Sequence, residues 1–289
     1  MSYDADEVIE TFGTATEENQ LDPLRQEQTI VLPPEGELWI AGDIHDHRNN
    51  FRKLIAAADL RSNPQRHLII QELIHGDHFD PEGREDSWEI LYKAADLKCD
   101  FPEQVHFLFA NHDLAQIHGE GIMKAGLSVC EAFNKGVKRD FGSKYGAAHV
   151  AITELLLSFP LAARTATGLF FSHSMPTDDQ MDAFDYTVFD RPLTGDDYLR
   201  RKGPIYQLIW GRGITPAGVD KFLEKVGASM IVTGHQPQEF GYLANGEKHL
   251  IIASDHNQGV FLSVDLAKSY TIEELIERLT KFVALDVEL

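Results

Sequence analysis

Short apolar runs alternate along this chain with stretches in which apolar side chains recur every three or four positions. Leu38, Trp39, Ile40 and Ala41 form a run that predicts a buried strand, stopped by Gly42. Asn49 to Leu60 follows with Phe51, Leu54, Ile55 and Ala58 at helical spacing. Asn49 or Asn50 can cap its start, and Asn63-Pro64 breaks it. His67 to Ile74 predicts a second strand, and Trp88, Ile90, Leu91 and Ala94 or Ala95 mark the buried face of the next helix. Val105 to Ala110 predicts a third strand. Strand, helix, strand, helix, strand with short connections predicts parallel strands joined by crossover helices.

Met123 to Ser158 reads as mostly helical, with joints at Gly126, Gly136, Gly142 and Gly146. Further strands are predicted at Gly168 to Ser172, Ser229 to Thr233 and Gly259 to Val264, with a helix from Pro216 to Val226. A hairpin between Tyr242 and Ser254 turns on Asn245-Gly246. Residues 174 to about 204 are polar and rich in Asp and read as a long loop with short helical turns, a common form for a lid. Thr271 with Glu274 caps a last helix, predicted over residues 271–285. Residues 1–35, acidic and without Lys or Arg before Arg25, read as a lead-in segment. Residues 36–289 read as one domain with a helical insertion over about 113–165.

Composition narrows the function classes. The 289 residues carry a formal net charge of −20, which argues against non-specific binding to nucleic acid or to an anionic membrane. A phosphorylated substrate stays open, because bound cations and a few arginines can reverse the local field. Two cysteines, Cys99 and Cys130, imply no disulfide framework and a reducing compartment. The acidic start is unlike a secretory signal, and no apolar run is long enough to span a bilayer, so a cytoplasmic protein is expected.

The candidate chemistry sits where predicted strands end. Asp43 with His45, Asp77, Asn111 with His112, His173 and His235 each follow an apolar run. In parallel α/β sheets the carboxyl ends of strands share one edge, so these groups can converge. Oxygen and nitrogen donors without thiolate suit Mn, Fe, Zn or Mg, with Mn or an Fe/Zn pair favoured. Six of them, Asp43, His45, Asp77, Asn111, His173 and His235, make a ligand set too large for one open catalytic ion and suit two ions sharing a carboxylate, which can hold a hydroxide and clamp a phosphate. Spacing makes Asp77 the expected bridge.

GDIHDH at 42–47, GDHFD at 76–80, NHD at 111–113, Ser172-His173 and Gly234-His235, in this order, resemble the calcineurin-like metallophosphoesterases. The match is best to the branch of serine/threonine phosphoprotein phosphatases and bacterial relatives. The resemblance implies a four-layer αββα fold of two mixed sheets between helices. It implies Asp43, His45 and Asp77 on one divalent ion, and Asp77, Asn111, His173 and His235 on the other. His112 would be the general acid, its ring held by Asp80. A phosphomonoester, a phosphoprotein among the candidates, is the expected substrate, with no nucleic acid or membrane partner. The alternatives are a dinucleoside polyphosphate pyrophosphohydrolase, a phosphodiesterase, or a metal-binding scaffold of weak activity. Departures from the pattern are Asp46 and Ala110 where the family usually has glycine, and Pro81 where the branch has a phosphate-gripping arginine. Arg212, Arg84 or Arg48 would replace that arginine, with Arg212 favoured by its place between the two late histidines.

Overall fold

The apolar runs pair into two mixed sheets in a computed structural model that describes residues 3–119, 121–124 and 126–286. In chain order the strands are β1 Arg25–Gln26, β2 Thr29–Val31, β3 Glu37–Asp43, β4 Arg66–Gln71, β5 Val105–Leu108, β6 Met123–Lys124 and β7 Leu127–Ser128. They continue with β8 Ala162–Arg164, β9 Leu169–Ser172, β10 Met230–Thr233, β11 Tyr242–Asn245, β12 His249–Ile252, β13 Val260–Asp265 and β14 Leu279–Lys281. The helices are α1 Ala5–Leu21, α2 Arg48–Ala58, α3 Trp88–Asp100, α4 Asn111–His118, α5 Val129–Phe141, α6 Tyr145–Leu157, α7 Pro204–Trp210, α8 Pro216–Val226 and α9 Ile272–Glu277.

One sheet runs β1-β2-β8-β9-β10-β12-β11 and the other β14-β13-β3-β4-β5; β6 and β7 form a small hairpin. β3, β4 and β5 are parallel, as are β9, β10 and β12, so their carboxyl ends point the same way within each sheet. Each central strand is buried on both faces, which is why its sequence is an unbroken apolar run. Leu38 and Ile40 of β3 enter the core between the sheets with Ile69, Phe171, Val232 and Leu250. Their neighbours Trp39 and Ala41 face the helix side, with Leu68, Ile70 and Phe170. The result is the expected four-layer αββα arrangement. At the functional edge the sheets are pinned together: Asp43 bridges Ala253, and Gly42 N donates to Ser254 Oγ at 2.9 Å. A Cβ on Gly42 would stand 2.1 Å from Ile252 O, so only glycine permits this approach.

The two ends of the chain differ from expectation. The N-terminal segment is an integral element: α1 packs on α3 and α6 and buries Val8, Phe12 and Ala15. These three positions make one helical stripe, and the acidic residues occupy the other faces. The last helix stops at Glu277, and Leu279–Lys281 turns back to pair antiparallel with β13. This pairing closes an edge that β13 would otherwise leave open, and it buries Phe282. Among the described residues no helix is long and apolar enough to cross a membrane.

The end of the sheet opposite the functional edge carries a buried charge cluster. Asp22 Oδ2 accepts from Lys98 Nζ at 3.0 Å and from His106 Nδ1 at 2.9 Å. Burial opposes ionisation of Asp22, but the hydrogen bond and charge of His106, with the charge of Lys98, outweigh it and hold the carboxyl at about 2. Asp22→Asn leaves Lys98 buried without its counter-charge, so about 3–5 kcal/mol of stability should be lost at pH 7 in urea unfolding. The folded pKa lies below the ordinary 3.8, so the contribution is complete above that value and disappears as pH falls through about 2. The stability gap between variant and wild type should close over that range.

Candidate metal centre

The strand ends deliver the site through turns that bend sharply. Asp43 closes β3 and His45 follows with φ +43°. β4 ends at Gln71, and Glu72 turns the chain with φ +46°. Asn111 and His112 open α4, two residues beyond β5. His173 follows β9 directly, and Gly234-His235 follows β10, with φ +67° at His235. The β3 and β4 turns are laced together, because Glu72 O accepts from both Ile44 N and His45 N. Gly234 is required by contact: a Cβ there would lie 2.2 Å from Asp43 Oδ1.

Hydrogen bonds at the back of each imidazole decide what its front presents. His45 Nδ1 lies 3.1 Å from Ile74 O. A carbonyl only accepts, so Nδ1 carries the proton and Nε2 is a bare lone pair. That Nε2 faces Glu72 Oε2 at 3.3 Å. Gln71 Nε2 donates to Ala41 O, which orients its Oε1 to accept from His173 Nδ1 at 2.9 Å. His173 Nε2 is then also bare. It faces Asn111 Oδ1 at 2.7 Å and Glu72 Oε1 at 3.6 Å. His235 Nδ1 approaches the same Asn111 oxygen at 2.9 Å, and its backbone N–H donates to Asp43 Oδ1 at 2.8 Å. Glu72 thus offers one oxygen to each side of a cluster of nitrogen and oxygen donors. Two ligand triads emerge, His45–Glu72–His112 and Asp43–Glu72–His173, and Glu72 belongs to both.

Charge reinforces the arrangement. Burial pushes the Asp43 and Glu72 carboxyls up, assisted by the charge of Asp255 at Asp43 and by that of Asp43 at Glu72. Burial pushes the imidazoles of His45, His112, His173 and His235 down, assisted by Lys124 at His45 and by Arg212 at His235. Neutral imidazoles beside paired carboxylates are the form in which these groups bind cations. Asp255 Oδ1, which acts on Asp43 through its charge, is buried and without a hydrogen-bond partner. The donors fit divalent ions of the oxygen- and nitrogen-loving kind.

Of the residues expected from sequence, the structure gathers Asp43, His45, Asn111, His112, His173 and His235, with Arg212 beside them. Arg212 Nε lies 3.0 Å from His235 Nε2. Asp77 is elsewhere: its side chain is 82% exposed and pairs with Lys124. The position expected for it is filled by Glu72, because β4 ends three residues before the predicted limit. Asp80 does not touch His112; it pairs with Arg84 at 2.6 Å and with Arg139. Arg84 is consumed by Asp80 and Glu82. Arg48 is held by Asp46, Glu89 and the Asp86 carbonyl, lining a cavity of about 470 Å³ next to the site. The ring of His112 is instead held by His75, Nδ1 to Nδ1 at 3.0 Å, and His75 Nε2 meets Gln116 Oε1 at 3.0 Å. His75 is fully buried and packs on Phe133. The signal for Glu72 was the polar Gln71-Glu72 pair inside an apolar run.

A family model for calcineurin-like phosphoesterases matches residues 37–239. No curated protein matches the sequence significantly. Among solved structures, a serine/threonine phosphatase from Saccharomyces cerevisiae with similarity to human phosphatase PP5 aligns with TM-score 0.66 at 16% identity, over 91% of this chain and 83% of that one. A cold-active protein-tyrosine phosphatase of a psychrophilic Shewanella species aligns with TM-score 0.55 at 16% identity, over 92% and 84%. A mutant cold-active protein tyrosine phosphatase gives 0.59 at 14% identity, over 93% and 83%.

Glu72 and Asp77 can be separated by metal content. After loading with Mn²⁺ and desalting, Glu72→Gln should lose bound metal, and Asp77→Asn should retain it at the wild-type ratio. The reverse result would return the bridging role to Asp77.

Proposed function

This chain belongs to the calcineurin-like phosphoesterase family, and from that premise we propose that it hydrolyses phosphomonoesters, phosphoprotein among them, at a two-cation centre bridged by Glu72. The observation that carries this reading is the pair of bare imidazole nitrogens, on His45 and His173, that face the two oxygens of one buried carboxylate. Asp43, His45 and Glu72 would hold one cation, and Glu72, Asn111, His173 and His235 the other. Bound there, such ions supply Lewis-acid charge for the phosphate oxygens and make a water acidic enough to attack at neutral pH.

The chain's own side chains do the remaining work. Arg212, held by the His235 carbonyl through Nη2, offers the rest of its guanidinium to a phosphate oxygen. His112 gives a proton to the departing oxygen. Its orientation is set by a relay in which His112 Nδ1 donates to His75 Nδ1, His75 Nε2 donates to Gln116 Oε1, and Gln116 Nε2 donates to Asn134 Oδ1. The amide directions leave His112 Nε2 as the atom that takes up and delivers the proton. The relay is neutral throughout. It orients the ring without the negative charge that a carboxylate would lend to an imidazolium, and burial, His45 and His75 already push His112 down. A weakly supported acid suits leaving groups that need little protonation, so aryl phosphates are favoured over alkyl ones.

Rates of the Mn²⁺-loaded protein on para-nitrophenyl phosphate, bis-para-nitrophenyl phosphate, phosphoserine and a dinucleoside polyphosphate test the reading. The monoesters should turn over fastest. His112→Gln should keep its metal and lose about 10²–10⁴-fold in kcat on phosphoserine, the usual range for a proton-transfer group. The loss should be smaller on para-nitrophenyl phosphate, whose leaving group departs as a stable anion. Faster cleavage of the diester or the dinucleotide, or an unaltered phosphoserine rate in the variant, contradicts it.

A further inference from the structure

The β6–β7 hairpin, between the left-handed cap of α4 at Gly119 and the Ser128 cap of α5, brings a cation to the site that the reaction as described does not use. Lys124 Nζ donates to His75 O at 2.9 Å and lies 3.4 Å from Asp77 Oδ1. His75 is the residue whose ring holds His112, so the ammonium is anchored beside the proton-donating side of the centre. Arg212 stands on the other side, against His235. The charge of Lys124 bears on His45, His75 and His112, whereas that of Arg212 bears on Asp43, His173 and His235. The two cations therefore bracket the ligand cluster.

The hold on each basic residue decides which is free to take an anion. Arg84 is bound by two carboxylates, and Arg48 by two carboxylates and a carbonyl. Among the described residues Lys124 has one carboxylate partner, Asp77, whose side chain is 82% exposed. Such exposed pairs contribute little, so a phosphate dianion competes well for the ammonium. The ammonium has three donors on a flexible stem and can keep the His75 carbonyl while exchanging Asp77 for a ligand.

We propose that Lys124 is the second phosphate-binding cation of the pocket, opposite Arg212, and that Asp77 is the tether it leaves when a dianionic phosphomonoester enters. This rests on the phosphoesterase reading for its substrate. It gives Asp77 a role other than metal binding, and it supplies a positive charge that the stretch 76–84 fails to supply where Pro81 stands.

The test uses the Mn²⁺-loaded full chain, with inorganic phosphate as the probe. Affinity for phosphate is read by calorimetry and by competition against para-nitrophenyl phosphate. Lys124→Met should weaken phosphate and raise KM by roughly tenfold or more, as expected for loss of one hydrogen bond to a charged group, with kcat within about twofold. Lys124→Arg should restore most of the affinity, and Asp77→Asn should tighten it. Should Lys124→Met fail to fold by circular dichroism, the other two variants carry the decision. Unchanged phosphate affinity in Lys124→Met and Asp77→Asn, or no phosphate binding by the wild type, overturns the proposal. A wild type that binds phosphate through Lys124 but turns over no ester refutes the phosphoesterase reading alone.

Discussion

Lone pairs do not face lone pairs in a dry interior unless something positive lies between them. At the centre of this molecule His45 Nε2, His173 Nε2, the Asn111 oxygen and both Glu72 oxygens converge, and their backs are tied off by Ile74 O and Gln71 Oε1. A proton can relieve one such clash, as the raised carboxyls of Asp43 and Glu72 show. It cannot relieve contacts on both sides of Glu72 at once. Cations on the two sides of Glu72, as in the proposed centre, would relieve both.

Those turns carry a backbone cost. His45, Asp46, Glu72, His75 and His235 all adopt positive φ, a region where a side chain costs on the order of 1 kcal/mol or more per residue. Such conformations persist only where surrounding bonds over-determine them. Here Glu72 O takes two amides from the neighbouring turn, Asp46 N donates to Leu73 O, Gly234 N donates to His173 O, and Ser254 N donates to Asp43 O. The two sheets are thereby stitched at the same edge that holds the ligands. The inter-sheet core of Leu38, Ile40, Phe171 and Val232 keeps that edge in register. Strain at the site is met by packing a few residues away.

The strands were legible because burial on both faces leaves an unbroken apolar run, and the histidines at 173 and 235 because each directly follows one. The place of Glu72 between the two ligand groups was not legible. A Gly-Asp pair at 76–77 has the look of a turn with a ligand, whereas the true turn uses a non-glycine residue in the conformation glycine usually supplies. The role of His75 was hidden for a related reason. Gly76, Asp77 and His78 follow His75 and give the look of an exposed turn, and its burial comes from α4 and α5, whose packing no local pattern reports. At the termini, α1 buries only three apolar positions, Val8, Phe12 and Ala15, and the final capping box marks where a helix starts without marking where it stops.

A net charge of −20, taken alone, repels an anionic substrate. The distances resolve the conflict. Charges on the surface are screened beyond a Debye length of about 8 Å at physiological ionic strength, whereas those in a buried cluster are not. Many of the acidic groups are also locally matched: Asp80, Asp86 and Asp140 share Arg139, and Asp185 and Asp197 share Arg191. In the proposed reading, what an incoming phosphate would meet at close range is set by Arg212, by the cations of the Asp43 and Glu72 donor sets, and by a lysine loosely enough bound to turn toward it. An acidic protein can therefore present an anion-accepting pocket, provided the positive charge is placed within a few ångströms of the reacting atoms.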